Sequence, residues 1–443
     1  MGVSALIGEL DRRLDPVRLL LVRATCALII QILQLLDATA AAAIRIKRAY
    51  APESKGDQRR STLVIVGAGL SGLRAQRECS DECHVTLVDR KEYFEYTPGC
   101  LRLFVDPAHF SNLAKPLPRH RNGLVVGSLT SIGSNAITVR DHGGVDVLIS
   151  YDYLMLATGG TYGCEPITPT AAQPTLDARR AVWESAAEKL RNARSVIVIG
   201  GGPVGVELAA EIVYAYPHKL VTLLTADDEL CSSLPMQVGA VCASWLRSRG
   251  ARLIFNSRVT RINAKSVELA DSSILSADIV YPCMGASAPC TSALRTSLPQ
   301  SLDERGRILV DKSLRVHGTS GRVFAMGDAM TLPGCSDLKL GHTAELNAEV
   351  AAQNVLRSNS GAERLEVYPY GAVGADIAPR VFAVSLGEAG GVLAFNGIVV
   401  SGMLAAVVKR LIEWTKVAAC EERPIGIHTV SYTHLRAHET DSY

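Results

Sequence analysis

Short stretches with apolar side chains at nearly every position recur along this chain: Thr62 to Val66, His84 to Asp89, Tyr151 to Leu156, Ser195 to Ile199, Leu220 to Leu224, Ala277 to Cys283 and Arg322 to Met326. Bounded apolar runs of this kind, rich in valine, isoleucine and leucine, predict β-strands. Two of them run straight into glycine-rich turns, Gly67-Ala68-Gly69-Leu70-Ser71-Gly72 and Gly200-Gly201-Gly202-Pro203-Val204-Gly205, and a helical stretch follows each turn. The pattern is therefore strand, turn, helix, strand, met twice.

A GxGxxG turn in that setting is a device for holding a dinucleotide. Its first glycine permits the sharp turn, its second lets backbone N–H groups approach a pyrophosphate, and its third lets helix pack on strand. The helix N-terminus adds a favourable field for the phosphate charge. In the first copy, Asp89-Arg90 closes the second strand where an acid can bind ribose hydroxyls. The second copy departs there: Thr225-Ala226 stands in place of an acid and Asp227-Asp228 follows late. Its preference between NADH and NADPH is open, since the usual repulsion of a 2′-phosphate is missing and no arginine lies at the strand end to demand one.

Two more segments order the pair. The strand at Tyr153 ends in Ala157-Thr158-Gly159, and the one at Arg322 ends in Gly327-Asp328. Together they resemble the flavoproteins with two dinucleotide-binding domains, in which the first unit holds FAD, the second holds NAD(P)H, and the Gly-Asp carboxylate contacts the flavin's ribityl or pyrophosphate region. The plain alternative for Asp328 is a strand-end turn or helix cap.

Bulk properties agree with an enzyme of this size. The 443 residues are 48% hydrophobic with a net charge of +2, enough for two or three α/β domains and without the basic excess that nucleic acid would call for. The eleven cysteines are scattered, with no CxxC pair and no metal-type spacing, which reads as free thiols in a reducing compartment.

The expected organisation is α/β: two Rossmann-like dinucleotide-binding domains, an FAD domain with an inserted NAD(P)H domain, plus a small C-terminal α+β region. The boundaries are 1–57 for a hydrophobic leader, 58–170 and 289–370 for the two parts of the FAD domain, 171–288 for the NAD(P)H domain and 371–429 for the C-terminal domain. Glycine turns at Gly285 in the inserted domain and at Gly390-Gly391 and Asn396-Gly397 near the end support this division. The leader's run from Ala24 to Leu36, flanked by arginines, suits a bilayer surface; a transit peptide and a helix packed on the protein body are its alternatives. Residues 430–443 resemble a translated sequencing adapter and are expected to be an artefactual tail.

The acceptor narrows with the thiols. Cys79 and Cys83 end the first helix and Cys100 has no neighbouring partner, so none offers the redox pair of a disulfide reductase. Arg121 to Gly127, Gly200 to Glu211 and Tyr216 to Leu223 then resemble the apoptosis-inducing-factor-like family that includes the ferroptosis suppressor proteins, kin of the type II NADH dehydrogenases. That resemblance spans about residues 60 to 420 and implies transfer of hydride from NADH or NADPH through FAD to a membrane quinone. It implies FAD contacts at Gly67, Ala68, Gly69, Ser71, Gly72, Asp89, Arg90, Arg102, Val125, Ala157, Thr158, Gly159, Gly327 and Asp328, and nicotinamide dinucleotide contacts at Gly200, Gly202, Gly205, Glu207 and Gly285. Glu207 and Lys416 are the catalytic candidates. Ordinary alternatives are a helix-dipole role for Glu207 and surface charges for Lys416 and Arg102. A helix over Ile398 to Trp414, with Lys409 and Arg410 at one end, suits a wall dipping into lipid or a core helix. The implied location is membrane-associated and intracellular, with lipid droplet, plasma membrane, mitochondrion and plastid all open, as is a homodimer. Reduction of a soluble electron-carrier protein and a redox-sensing role are the rival functions.

Overall fold

The computed structural model describes residues 60–118, 123–170, 172–335, 339–368, 381–395 and 398–420. The leader, the tail, Arg121, Asn122 and the Asn396-Gly397 turn lie outside the described residues. The apolar runs form two parallel sheets. In the first, β1 (Thr62–Val66) leads through α1 (Leu70–Cys79) to β2 (His84–Asp89), then β3 (Gly123–Val126) and β4 (Tyr153–Leu156). Helix α2 (Leu176–Asn192) carries the chain into the second sheet, with β5 (Ser195–Ile199), α3 (Pro203–Ala215), β6 (Leu220–Leu224), α4 (Met236–Ser248), β7 (Arg252–Ile254) and β8 (Ile279–Pro282). The chain then returns to add β9 (Val323–Ala325) to the first sheet, whose order is β9-β4-β1-β2-β3, while the second runs β7-β6-β5-β8.

All pairings in these two sheets are parallel. Helices cover both faces of such a sheet, which is why its strands are apolar at successive positions rather than alternating. Leu63, Ile65, Leu154, Met155, Val198 and Leu223 are all buried, each contributing about 1.5–3 kcal/mol of transfer free energy. The way out of and back into the first domain is itself paired: Gly160–Tyr162 and Ala286–Pro289 form an antiparallel two-stranded link.

After α5 (Gly341–Asn359), the C-terminal part is an antiparallel sheet of β10 (Val381–Ser385), β11 (Gly391–Phe395) and β12 (Ile398–Ser401), followed by α6 (Met403–Cys420). The helix expected from Ile398 thus begins later. Ile398-Val399-Val400 is β-branched and pairs with β11, and Gly402, at φ +99°, turns the chain in the left-handed region before the helix starts. Lys409 and Arg410 are consequently inside α6 rather than at its end. They face Glu207 and Glu388, not lipid.

Candidate functional site

The two glycine turns are built alike, and each glycine has the expected steric reason. Gly67 and Gly200 have φ of +108° and +116°, and a Cβ on them would lie 2.2 Å and 2.3 Å from the carbonyl oxygens of Ala157 and Cys283. On Gly72 and Gly205 it would lie 1.7 Å and 2.0 Å from the carbonyl oxygens of Gly67 and Gly200. Around Gly69 and Gly202 nothing approaches within 4 Å, and the same holds at Gly159 and Gly285. The middle glycines therefore face open space while their neighbours are packed on backbone. Helices α1 and α3 start at Gly69 and Gly202 with no side chain capping them, which leaves first-turn N–H groups directed at that space for an anion.

Most of the residues expected to contact FAD lie around the first turn, and Arg102 is the exception, bound to Glu211 of α3. Asp89 Oδ2 accepts from the Ala68 N–H at 2.6 Å, and Val125 stands beside it on β3, paired with Val88. The Arg90 side chain reaches toward Cys290, and its carbonyl contacts His142 Nε2 at 3.0 Å. Ala157 and Thr158 underlie Gly67. Gly327 lies so near the turn that a Cβ on it would be 2.9 Å from Ser71 Oγ. Next to it, Asp328 accepts from the Tyr162 hydroxyl at 3.4 Å, and burial raises its carboxyl above the ordinary range against the pull of Lys339. Among the described residues four buried polar side-chain atoms have no hydrogen-bond partner, Arg74 Nε of α1, Thr158 Oγ1, His342 Nε2 and Asn347 Nδ2. Orphaned groups of this kind around an uncapped helix N-terminus are what a polar, phosphate-bearing cofactor would satisfy, so the residues fit FAD.

Beside the second turn, Glu207 lies on the wall of a small cleft that Pro98, Gly99, Arg102, Lys409 and Glu413 help to line. Burial raises the Glu207 carboxyl, while Lys409 from α6 and the N–H of Ser385 hold it toward its charged form. The Ser385 N–H donates to Glu207 Oε1 at 3.0 Å, and Lys409 Nζ donates to the same oxygen. Arg102 is drawn to α3 as well: its guanidinium donates to Glu211 Oε1 at 3.2 Å and leans on the Gly387 carbonyl at 3.5 Å. Lys409→Met should therefore move loss of the Glu207 carboxylate to higher pH. NAD+ affinity of the variant is expected to begin its fall on acidification, by up to about tenfold per pH unit, at a higher pH than that of the parent. Calorimetric titration of the oxidised protein across pH measures it, and coincident pH curves would refute it.

Lys416 stands two turns beyond Lys409 on α6, and its partner Glu345, like Glu207, acts on the buried Tyr96. Lys416 pairs with Glu345 in the first turns of α5, and burial lowers its ammonium below the usual range despite that partner. Glu207 and Lys416 thus have separate partners on separate helices. Sequence reasoning missed His342, Glu345 and Lys409 as site residues. The first two had a signal, polar residues opening a helix soon after Gly327-Asp328; Lys409 had only a misplaced helix end. As for thiols, the described cysteines are free, with Cys79, Cys83 and Cys100 buried and their thiols pushed up by burial.

This architecture has known counterparts. Ferroptosis suppressor protein 1 of Xenopus laevis is 28% identical over 354 residues, covering 76% of this chain and 88% of that protein. The Homo sapiens protein of that name is 29% identical over 371 residues, covering 78% and 92%. Among solved structures, NDH2 of Plasmodium falciparum in complex with NADH superposes with a TM-score of 0.67 at 13% identity, over 85% of this chain and 99% of that one. The sulfide:quinone oxidoreductase of Aquifex aeolicus gives a TM-score of 0.63 at 18% identity, over 81% and 92%. The family model described as pyridine nucleotide-disulphide oxidoreductase matches residues 61–353. The cofactors are FAD and, as co-substrate, NADH or NADPH. With two nucleotide turns in one continuous match, the chain is an oxidoreductase that belongs to the pyridine nucleotide-disulphide oxidoreductase family.

Proposed function

We propose that this protein is a membrane-associated NAD(P)H:quinone oxidoreductase. The observation that carries the reading is the double character of α6. One side of that helix supplies Ala406, Lys409 and Glu413 to the cleft, and another leaves Leu404 and Trp414 exposed, as Ile398 and Val400 are on β12. An apolar acceptor held at a lipid surface would meet the protein there, within one helix of Glu207. The names of the relatives point the same way: the Aquifex aeolicus structure is of a sulfide:quinone oxidoreductase. Among the described residues no helix is long and apolar enough to cross a membrane; the apolar leader is the second proposed contact.

When bound, FAD supplies the chemistry by taking a hydride from NAD(P)H and passing the reducing equivalents onward. The protein's share is placement. Glu207, fixed by Lys409 and Ser385, presents a carboxylate oxygen to the carboxamide of the nicotinamide and limits the ring's approach. Arg102, half-buried against Glu211, ties the Thr97–Phe104 segment to α3 so that the two nucleotide domains keep one spacing. Lys416 and Glu345 keep a paired charge where α5 begins, close to the orphaned His342.

The test is steady-state turnover of the flavin-loaded protein with NADH. Electron transfer to a short-chain quinone is expected to exceed transfer to oxygen by about tenfold or more, whereas equal rates would sink the proposal. The full chain should float with liposomes, and a chain starting near Gln58 should float less.

A further inference from the structure

Backbone hydrogen bonds align the two glycine turns residue by residue, and the alignment isolates one difference. In the first unit the Gly67 N–H donates to the Val88 carbonyl at 2.7 Å, and the following residue, Asp89, turns its carboxylate onto the Ala68 N–H. In the second the Gly200 N–H donates to the Leu224 carbonyl at 2.8 Å. Thr225 therefore takes the place of Asp89, and Gly201 that of Ala68. Thr225 is buried, with its Oγ1 only 2.6 Å from where a Cβ on Gly201 would stand. The position that ordinarily carries the ribose-binding acid is filled by a neutral hydroxyl.

Two residues later the chain brings a carboxylate back. Thr225 Oγ1 accepts from the Asp227 N–H at 3.2 Å, and the Asp227 carbonyl accepts from the Asn256 N–H at 3.0 Å, so the backbone is held on both sides of the Asp227 Cα. Asp227 Oδ2 accepts from Ser232 Oγ at 2.8 Å. Ser232 follows Cys231, whose N–H donates to the Gly201 carbonyl at 2.7 Å. One side-chain bond and one backbone bond thus tie the carboxylate to the residue between the first two glycines of the turn. Asp227 is nevertheless exposed, so a ligand seated on the turn can reach it.

We propose that Asp227 reads the adenosine ribose of the nicotinamide dinucleotide, accepting a hydrogen bond from its 2′-hydroxyl and so selecting NADH over NADPH. A fixed carboxylate rewards the hydroxyl and repels a phosphate on the same carbon, and discrimination by repulsion is as effective as a new attraction. The inference rests on the nicotinamide co-substrate of the family and is independent of what accepts the electrons. The cation that a 2′-phosphate would need is Arg258, exposed on the loop whose Ser257 N–H donates to the Thr225 carbonyl at 2.8 Å.

The experiment titrates the oxidised, FAD-loaded protein with NAD+ and with NADP+ by calorimetry, a measurement in which no electrons move. NAD+ is expected to bind about tenfold more tightly or better, a difference of about 1.4 kcal/mol, and Asp227→Asn to bring the two affinities within about threefold. Flavin content and absorbance report that the variant is folded, as an exposed substitution predicts. Equal affinities in the parent protein would overturn the proposal, as would an Asp227→Asn protein with an unchanged ratio or selective loss of NADP+ binding in Arg258→Ala. Because no acceptor is present, none of these outcomes bears on the quinone reading.

Discussion

Gly69→Ala should yield a folded but colourless protein, and Gly72→Ala should yield almost no soluble protein at all. The substitutions are three residues apart in one turn, and the added methyl is the same. At Gly72 it would sit 1.7 Å from the Gly67 carbonyl oxygen, a backbone atom that can retreat only by separating α1 from β1. The cost is then well beyond the ~1–3 kcal/mol of ordinary overpacking and into the range where domains fail to fold. A Cβ at Gly69 would meet no atom within 4 Å beyond its own chain neighbours, and φ is −83°, which any residue adopts. The methyl there obstructs only a pyrophosphate brought against the backbone, so FAD affinity should fall about a hundredfold, about 2.8 kcal/mol.

The second turn gives the matching dissection. Gly202, also open and at φ −72°, should tolerate alanine and keep its flavin. That protein should be yellow yet bleach far more slowly with NADH, because the obstruction now falls on the nicotinamide dinucleotide. Flavin absorbance of the purified variants, circular dichroism and anaerobic NADH titration read all three results. A Gly69→Ala protein with normal flavin content would show that the open space is not a phosphate site.

Much of this was legible in the chain because the constraint is local. A positive φ, a backbone approach and a helix start each select glycine at a fixed spacing, so Gly67 to Gly72 and Gly200 to Gly205 announce their turns whatever surrounds them. Buried parallel strands are equally plain, since apolar residues on both faces leave few other readings. What was not legible depends on contacts between distant segments. Lys409 is 202 positions from Glu207 in sequence and meets it only because the C-terminal sheet folds α6 over α3. The boundary of α6 was misread because Ile398-Val399-Val400 is apolar enough for helix or strand, and pairing with β11 decided it. Glu95 shows the same limit: it sits in an aromatic stretch whose sequence gives no hint of its partner.

That partner makes Glu95 the most consequential acid outside the nucleotide sites. Arg179 of α2 is fully buried, and its Nε donates to Glu95 Oε2 at 2.9 Å. Its remaining donors reach Gln173 Oε1 at 2.8 Å and the Ile167 carbonyl at 3.1 Å. One turn along, Trp183 Nε1 donates to Glu95 Oε1 at 2.8 Å and its ring packs edge-on against Phe104, with centroids 5.3 Å apart. The pair therefore fastens the helix that leads into the second domain to the strand Tyr93–Glu95 of the first. Two desolvated charges gain little net stability from each other, but removing one leaves the other buried without compensation, at about 3–5 kcal/mol. Glu95→Gln is expected to lower the melting temperature of the flavin-loaded protein by about 3–5 °C, with Arg179→Met, which leaves the buried Glu95 carboxylate with Trp183 Nε1 as its remaining donor, lowering it by a similar amount. Combining Glu95→Leu with Arg179→Met should recover much of the loss, because an apolar pair of similar volume needs no compensation. A Glu95→Gln protein that melts within about 2 °C of the parent would show that the guanidinium finds water or another acceptor, and that the two domains are fastened by apolar packing instead.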